Sequence, residues 1–341
     1  MILQERIEIL DLLGLEIKNV LNNPVSHDFP GYKKIYESNP WFTEEFVKFS
    51  LTEWSKNLNL DTISSWLSKY QIPDKDVDKT LGIIMAGNIP LVGLHDLICG
   101  FICGIKLKIK ISSKDKYLTE WIIERINIKI SNSIDRIVIV KDFLSDFDSI
   151  IATGSNNTNR YFDYYFSDYP RLLRKNRNSV AILDAKETVE DLENLSDDIF
   201  VYFGLGCRNV SKIYVPQSYD FNILANAVKK YEYLKNHVKF GNNLEYQYAI
   251  LSMNSVLHVN YENLLMVENK NFFAPIGIVN FEYYNEIKQV NDYLKMKSNE
   301  LQCIVSNIQE IEGAITFGNT QHPLLSDYSD KIDTIEFILK I

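Results

Sequence analysis

The sequence predicts an α/β protein with mostly parallel sheets. Strand-like and helix-like runs alternate from about residue 80 onward, the order of β–α–β crossovers. Several strand runs are apolar throughout, as strands covered on both faces are. One run, Lys106–Ile111 (KLKIKI), alternates strictly and marks a strand with one wet face.

The elements follow in order. The first 75 residues read as helical, with Ile63, Trp66, Leu67 and Tyr70 at three- and four-residue spacing. Gln71-Ile-Pro-Asp ends that region. Gly82–Ala86 is a short apolar run ending at Gly87, and Gly93–Cys103 has helical spacing. Ser112 or Ser113 can cap the next helix, whose apolar positions are Leu118, Trp121, Ile122 and Ile126. Ile137–Val140 and Ser149–Ala152 read as strands, and Asn156–Phe166 as a helix. Val180–Leu183 and Ile213–Val215 are further strands. Asp220 can cap a helix carrying Leu224, Ala225 and Val228. Ile276–Phe281, Ile287–Met296 and Cys303–Val305 repeat strand, helix, strand. A domain boundary is expected near Lys175–Asn178, where the polar run RKNRN precedes a new strand.

Length and composition bound the function. A chain of 341 residues suggests about two domains. Hydrophobic residues at 46% and charged residues at 24% exclude disorder. The net charge of −9 argues against a broad basic face for nucleic acid. The four cysteines form no CxxC pair, which disfavours a structural zinc site, and no metal is expected. The N-terminus lacks a signal-peptide pattern, so a reducing cytoplasmic setting is expected. Leu81–Ile105 is long enough to cross a bilayer, but Asn88, Pro90, His95 and Asp96 interrupt it. A central Asp costs a few kcal/mol in lipid, so strand, turn and helix is the expected reading.

Four constellations can carry chemistry. Gly204-Leu-Gly-Cys-Arg-Asn imitates a G-x-G-x-x-G phosphate loop, with Phe200–Phe203 as a strand before it. Asn209 stands where the third glycine belongs, and a strand follows where the fingerprint needs a helix, so that reading is rejected. Cys207 then stands out as a nucleophile after two glycines and beside Arg208, whose charge favours thiolate. A small buried Cys at a strand end is the structural alternative. Cys99, Cys103 and Cys303 read as packing residues, and His95 is the best candidate for a His beside Cys207. Second, Ala86-Gly-Asn-Ile-Pro places Asn88 after a strand, where its amide can stabilise an oxyanion or simply satisfy a turn. Third, Thr153-Gly-Ser155 opens a helix, whose N-terminus suits a phosphate. Fourth, Lys110 ends a strand ahead of Ser112 and Ser113. It can bond ribose hydroxyls or phosphate, or lie on the surface.

In this order the four pieces resemble the aldehyde dehydrogenase superfamily, and within it the acyl-CoA reductase branch related to the fatty-acid reductase of bacterial luminescence. The match runs from about Leu81 to Pro216 and continues more faintly to the C-terminus. AGNIPL resembles the loop whose Asn binds the oxyanion, here Asn88. KLKIKISS resembles the strand whose lysine holds the adenosine ribose, here Lys110, with Ser112 and Ser113 following. ATGSNNT resembles the segment at the cofactor pyrophosphate, here Thr153, Gly154 and Ser155. SVAILDAKETVEDLENLSDDIFVYFGLGCRNVSKIYVP resembles the nucleophile segment and places that residue at Cys207. FGNTQHPLLSDYSDKIDTIEFILKI resembles the reductase branch, with its Q-x-P-x-L and D-Y.

The resemblance implies an aldehyde dehydrogenase-like fold. A helical N-terminus and a Rossmann-like NAD(P)-binding domain are expected over 1–177, and an α/β catalytic domain over 178–310. The segment 311–341 is expected to return to the cofactor domain. It implies reduction of an acyl thioester, a fatty acyl-CoA or an acyl-protein, to aldehyde. The implied cofactor is NADPH, with NADH also allowed, and CoA is the leaving group. The departures sharpen this. The segment that carries a glutamate base in ordinary aldehyde dehydrogenases reads LLRKNRNSV, without an acid. Asn271 stands where a second glutamate precedes a phenylalanine. The acid that often follows the ribose lysine is absent, with Ser113 near its place, which permits a 2′-phosphate. The chain is shorter than most of the superfamily, so the oligomerisation hairpin is expected to be reduced, which leaves a homo-oligomer open. An acyl-transferring partner protein is also open. The other function classes are a Cys acyltransferase or thioesterase working without hydride, and a non-catalytic relative that binds acyl groups or a partner.

Overall fold

The computed structural model describes residues 1–130 and 136–341. The chain divides into two compact units. The first comprises Met1–Asn176 with Leu324–Ile341, and the second comprises Arg177–Pro323.

The first unit opens with helices Leu3–Asn22, Tyr32–Ser38, Glu44–Asn57 and Leu60–Leu67. Five strands follow, β1 (Thr80–Ile84), β2 (Lys106–Lys110), β3 (Ile137–Ile139), β4 (Ser149–Thr153) and β5 (Arg171–Arg174). They form one sheet in the order β3-β2-β1-β4-β5, parallel throughout. Helices Leu94–Ile102, Lys116–Lys129 and Asn156–Tyr165 make three of the crossovers. The apolar stripe Leu10, Leu13 and Ile17 of the first helix joins one core with Leu81, Ile83, Leu97 and Ile122. The strict alternation of KLKIK appears as buried Leu107 and Ile109 between half-buried lysines.

The C-terminal segment belongs to this unit through a polar network. Tyr328 OH receives Trp66 Nε1–H at 2.9 Å and shares a hydrogen bond with Tyr70 OH at 2.6 Å. Tyr70 OH also donates to Asp333 at 2.5 Å. His95 Nε2 contacts the Leu325 carbonyl at 2.9 Å and its ring packs on Tyr328. The D-Y pair of the sequence motif is thus structural: Asp327 accepts the Leu324 N–H at 2.9 Å and Tyr328 is the hub.

The second unit contains β6 (Asn178–Ile182), β7 (Val210–Pro216), β8 (His258–Asn260), β9 (Leu265–Glu268), β10 (Ile278–Tyr284) and β11 (Leu301–Val305). Their order is β11-β6-β7-β10-β9-β8, parallel except for the antiparallel β8–β9 pair. Helices Val189–Phe200, Asn222–Val228, Val238–Met253 and Ile287–Met296 lie between strands.

Two expectations are corrected here. Phe200–Phe203 is not a strand. It is the end of a helix followed by a tight turn in which Tyr202 and Phe203 both adopt left-handed backbone, at φ 57° and 58°. Residues 311–323 belong to the second unit, not to the C-terminal return. Ile315 bridges Val305, and Gly318 and Thr320 are hydrogen-bonded to buried Asp198. Among the described residues no helix is long and apolar enough to cross a membrane, and no cluster of His, Cys, Asp or Glu could hold a metal ion.

Candidate active site

In the first unit the candidate residues gather at the carboxyl edge of the sheet. Ile84 of β1 pairs with Lys110 on one side and Ala152 on the other. The chain therefore leaves β1 toward Asn88, β2 toward Ser112 and Ser113, and β4 through Thr153 toward Gly154 and Ser155, all at the same end. The strand order reverses direction between β1 and β4. Ligands of open α/β sheets bind at such a switch point, outside the carboxyl ends.

The Asn88 loop is held tightly while Asn88 itself is exposed. A Cβ on Gly87 would lie 2.5 Å from Ser112 Oγ, so only glycine lets the two loops approach this closely. Leu91 is left-handed at φ 58°, and its N–H donates to Asp115 Oδ2 at 2.7 Å. Ser50 Oγ donates to the Pro90 carbonyl at 3.0 Å. Asp115 is buried, and burial pushes its carboxyl up to about 8 against the Leu91 N–H and Thr119 hydroxyl, which favour the ion.

The other candidates have local partners. Lys110 Nζ donates to the Asp142 carbonyl at 2.5 Å. Ser112 Oγ accepts the Lys114 N–H at 3.3 Å, capping a short 3-10 turn that Ser113 begins. At the following helix, Lys116–Lys129, Asp115 holds the N-cap position without a side-chain cap hydrogen bond, its carboxyl being turned to Leu91 instead. Thr153 ends β4 in register with Arg174. Gly154 N–H donates to the Arg174 carbonyl at 3.3 Å, and Ser155 caps helix Asn156–Tyr165 by accepting the Thr158 N–H at 3.2 Å. A strand end, a tight glycine turn and a helix start in sequence fit a pyrophosphate. Lys110 ends β2, on the other side of β1 from β4, at the same edge of the sheet.

Arg174 lies in the segment that lacks the family's base. Its guanidinium grips Asp96 at 2.5 and 3.0 Å and donates to the Ser329 carbonyl and Thr334 hydroxyl, each at 2.8 Å. That position is structural. His95 is likewise engaged inside the first unit, by Leu325, Tyr328 and, at 3.9 Å, Cys99.

In the second unit Cys207 is half-buried, while Cys99, Cys103 and Cys303 are buried. Burial pushes the Cys103 thiol up to about 12 and raises that of Cys99 strongly, as expected of packing cysteines. Cys207 follows the left-handed residues Tyr202, Phe203 and Gly204 (φ 73°) and precedes β7. Consecutive left-handed non-glycine residues store strain, which concentrates at functional sites. The Gly206–Asn209 turn closes with Asn209 N–H on the Gly206 carbonyl at 3.1 Å, leaving Cys207 and Arg208 at its two central positions. The Cys207 carbonyl accepts Ser179 Oγ–H at 2.9 Å. Arg208 reaches Cys303 Sγ at 3.6 Å. Ser211 is an extra residue in β7, because Ser179 pairs with Val210 and Val180 with Lys212.

The Asn271 segment belongs to the same unit. Buried Asn280 donates to the Asn271 and Phe273 carbonyls at 3.0 and 2.9 Å, and Ser211 Oγ donates to the Phe272 carbonyl at 2.8 Å. Asn271 and Phe273 are exposed and Phe272 is buried. Asp115, Ser179, Asn209 and Asn280 escape sequence reasoning, because each acts through contacts only the fold creates. A polar residue beside or inside an apolar run is a signal at Ser179 and Asn280, whereas Asp115 and Asn209 sit in polar stretches.

No protein-family model matches the chain, and no curated protein matches it. Solved structures do. Aldehyde dehydrogenase 21 from Physcomitrella patens, solved with its reaction product succinate, superposes with a TM-score of 0.71 at 12% identity, covering 100% of this chain and 84% of that one. An oxidoreductase from Marinobacter aquaeolei gives 0.66 at 12% identity, covering 92% and 75%. An aldehyde dehydrogenase from Mycobacterium tuberculosis, complexed with NAD+, gives 0.61 at 12% identity, covering 92% and 75%. The fold is therefore that of the aldehyde dehydrogenases, an α/β architecture with parallel sheets.

Proposed function

We propose that this protein is an NAD(P)H-dependent oxidoreductase that reduces an acyl thioester, such as a fatty acyl-CoA, to an aldehyde. The observation that carries the proposal is the Cys207 turn. It presents one half-buried thiol at a fixed turn position, while the other three cysteines are buried. Such a thiolate can attack a thioester carbonyl, forming a new C–S bond as CoA leaves as its thiolate. In the proposed mechanism the Asn88 carboxamide and the Cys207 N–H hold the oxyanion. Lys110, Ser112, Ser113, Thr153, Gly154 and Ser155 hold the cofactor. A reduced nicotinamide, when bound, supplies the hydride that converts the Cys207 thioester to aldehyde and restores the thiolate. Arg174 supports reduction over hydrolysis, because this segment offers a buried ion pair and no carboxylate to activate water. Ser113 in place of an acid favours acceptance of NADPH, since no charge there repels a 2′-phosphate.

The test follows the absorbance of NADPH and of NADH with acyl-CoAs of several lengths and with an acyl-carrier protein. Oxidation of cofactor matched by aldehyde and free CoA, lost in Cys207→Ala with cofactor binding retained, is the expected result. Release of CoA without cofactor oxidation makes the protein an acyltransferase or thioesterase and overturns the reductase reading.

A further inference from the structure

We propose that Asn209 is a positioning residue for Cys207, its carboxamide fixing the turn that presents the thiol. This rests on Cys207 as the nucleophile of the proposed function. Asn209 occupies the place of the third glycine in the phosphate-loop imitation.

The contacts supply one. Asn209 is buried at 3% exposure. Its Oδ1 accepts the Gly206 N–H at 2.8 Å, while its own N–H donates to the Gly206 carbonyl at 3.1 Å. Both polar groups of Gly206 are thus tied to one residue, and Cys207 and Arg208 are the arc between. Nδ2 donates to the Asp198 carbonyl at 3.0 Å and the Val201 carbonyl at 2.9 Å, with the Ile199 carbonyl at 3.4 Å. These carbonyls lie at and just beyond the C-terminal end of helix Val189–Phe200, where the last turn leaves acceptors unsatisfied. An amide NH₂ has two hydrogens, so the two short bonds use both and the third is shared. The orientation is unambiguous, because the flipped amide would set its oxygen against three carbonyl oxygens.

The clamp therefore spans from the helix end to the nucleophile turn and encloses the left-handed residues Tyr202 and Phe203. It is anchored in turn by Asp198, whose carboxylate receives the Gly318 and Thr320 N–H groups at 2.7 and 3.0 Å. Ser179 completes the frame: its hydroxyl donates to the Cys207 carbonyl and accepts the Cys303 N–H at 3.1 Å.

The experiment measures carbamidomethylation of Cys207 by iodoacetamide in the full chain, with peptide mass spectrometry assigning the site. It needs no substrate, so its outcome is separate from that of the reductase reading. Asn209→Ala, folded by near-UV circular dichroism, is expected to change the Cys207 rate by roughly 10- to 10²-fold, as a misplaced reacting group does. Asn209→Asp keeps an acceptor for Gly206, but its carboxylate faces three carbonyls. Protonation restores an O–H donor, so its rate relative to the unsubstituted protein approaches unity as pH falls, while the Asn209→Ala ratio stays flat. Amide exchange in the unsubstituted protein gives a check without substitution. The Gly206 N–H is expected to be as protected as the β7 core. A folded Asn209→Ala reacting at the unsubstituted rate, a pH-independent Asn209→Asp ratio, or fast Gly206 exchange overturns the proposal. If these results hold but no acyl group reaches Cys207, the reductase reading fails and the clamp stands.

Discussion

The Asn88 loop follows a strand, whereas the Cys207 turn precedes one. Each is secured by a buried polar side chain, Asp115 from beyond the next strand and Asn209 from within the turn itself. In the first unit that side chain is Asp115, which holds left-handed Leu91. In the second it is Asn209, which holds Gly206 and the helix end. An amide does not titrate, so Asn209 itself adds no pH dependence to the Cys207 clamp, and the titrating group in its support is Asp198. A buried carboxyl does, so the Asn88 loop is coupled to pH through its support. The two loops also differ in what limits them. Close approach of Ser112 limits the first, and left-handed backbone at Tyr202 and Phe203 limits the second.

The largest expected effect breaks the comparison on function. Asn88→Ala should lower the turnover rate by roughly 10²–10³-fold, the usual cost of a lost oxyanion donor, with cofactor affinity little changed. Steady-state kinetics with titrated cofactor checks it, and an unchanged rate removes Asn88 from the site.

Next comes pH. The Asp115 carboxyl stays protonated in the folded chain up to about 8, while its unfolded counterpart ionises near 3.8. Between those values the unfolded state binds fewer protons, so this group's contribution to stability is full at low pH and is lost as pH rises through that window. The loss is on the order of a few kcal/mol. Asp115→Asn retains an acceptor for Leu91 and removes the titration. The melting temperature of the unsubstituted protein, relative to Asp115→Asn, should fall from pH 4 to pH 8. A constant difference would contradict the burial argument.

A smaller effect tests the close approach. Gly87→Ala places a Cβ 2.5 Å from Ser112 Oγ and 3.2 Å from the Asp115 nitrogen. Overpacking of this kind costs about 1–3 kcal/mol, readable by denaturant titration. A comparable effect concerns Asp198, whose carboxyl is raised by burial to about 6 against the Gly318 and Thr320 donors. Its linkage has the same sign as that of Asp115 but a narrower window. The stability difference between the unsubstituted protein and Asp198→Asn should decline from about pH 4 to pH 6 and then level off.

Much of the architecture is legible in the sequence because it depends on local pattern. KLKIKI alternates, so β2 is visible with its faces assigned. Gly87 and Gly206 mark tight backbone beside Asn88 and Cys207. The Asp198 anchor is not legible because it is long-range, meeting Gly318 across 120 residues, and the shorter Asn209 bonds depend on the left-handed turn that brings the helix end to Gly206. Tyr202 and Phe203 look like strand residues by composition, and the turn at the helix end sets them left-handed instead. Helix Val238–Met253 is hidden by a mixed sequence, KFGNNLEYQYAILSM, in which few positions are buried. The assignment of residues 311–323 to the second unit rests on Ile315 and Thr320 pairing with earlier segments, which no local pattern announces.

The central claim is that Cys207 accepts the acyl group. Intact-protein and peptide mass spectrometry after mixing with a fatty acyl-CoA, with no reduced cofactor added, tests it most directly. The account predicts one acyl increment, confined to the peptide containing Cys207 and discharged when NADPH or NADH is supplied. An increment on another residue, or none at all under conditions where the acyl-CoA is consumed, would contradict it.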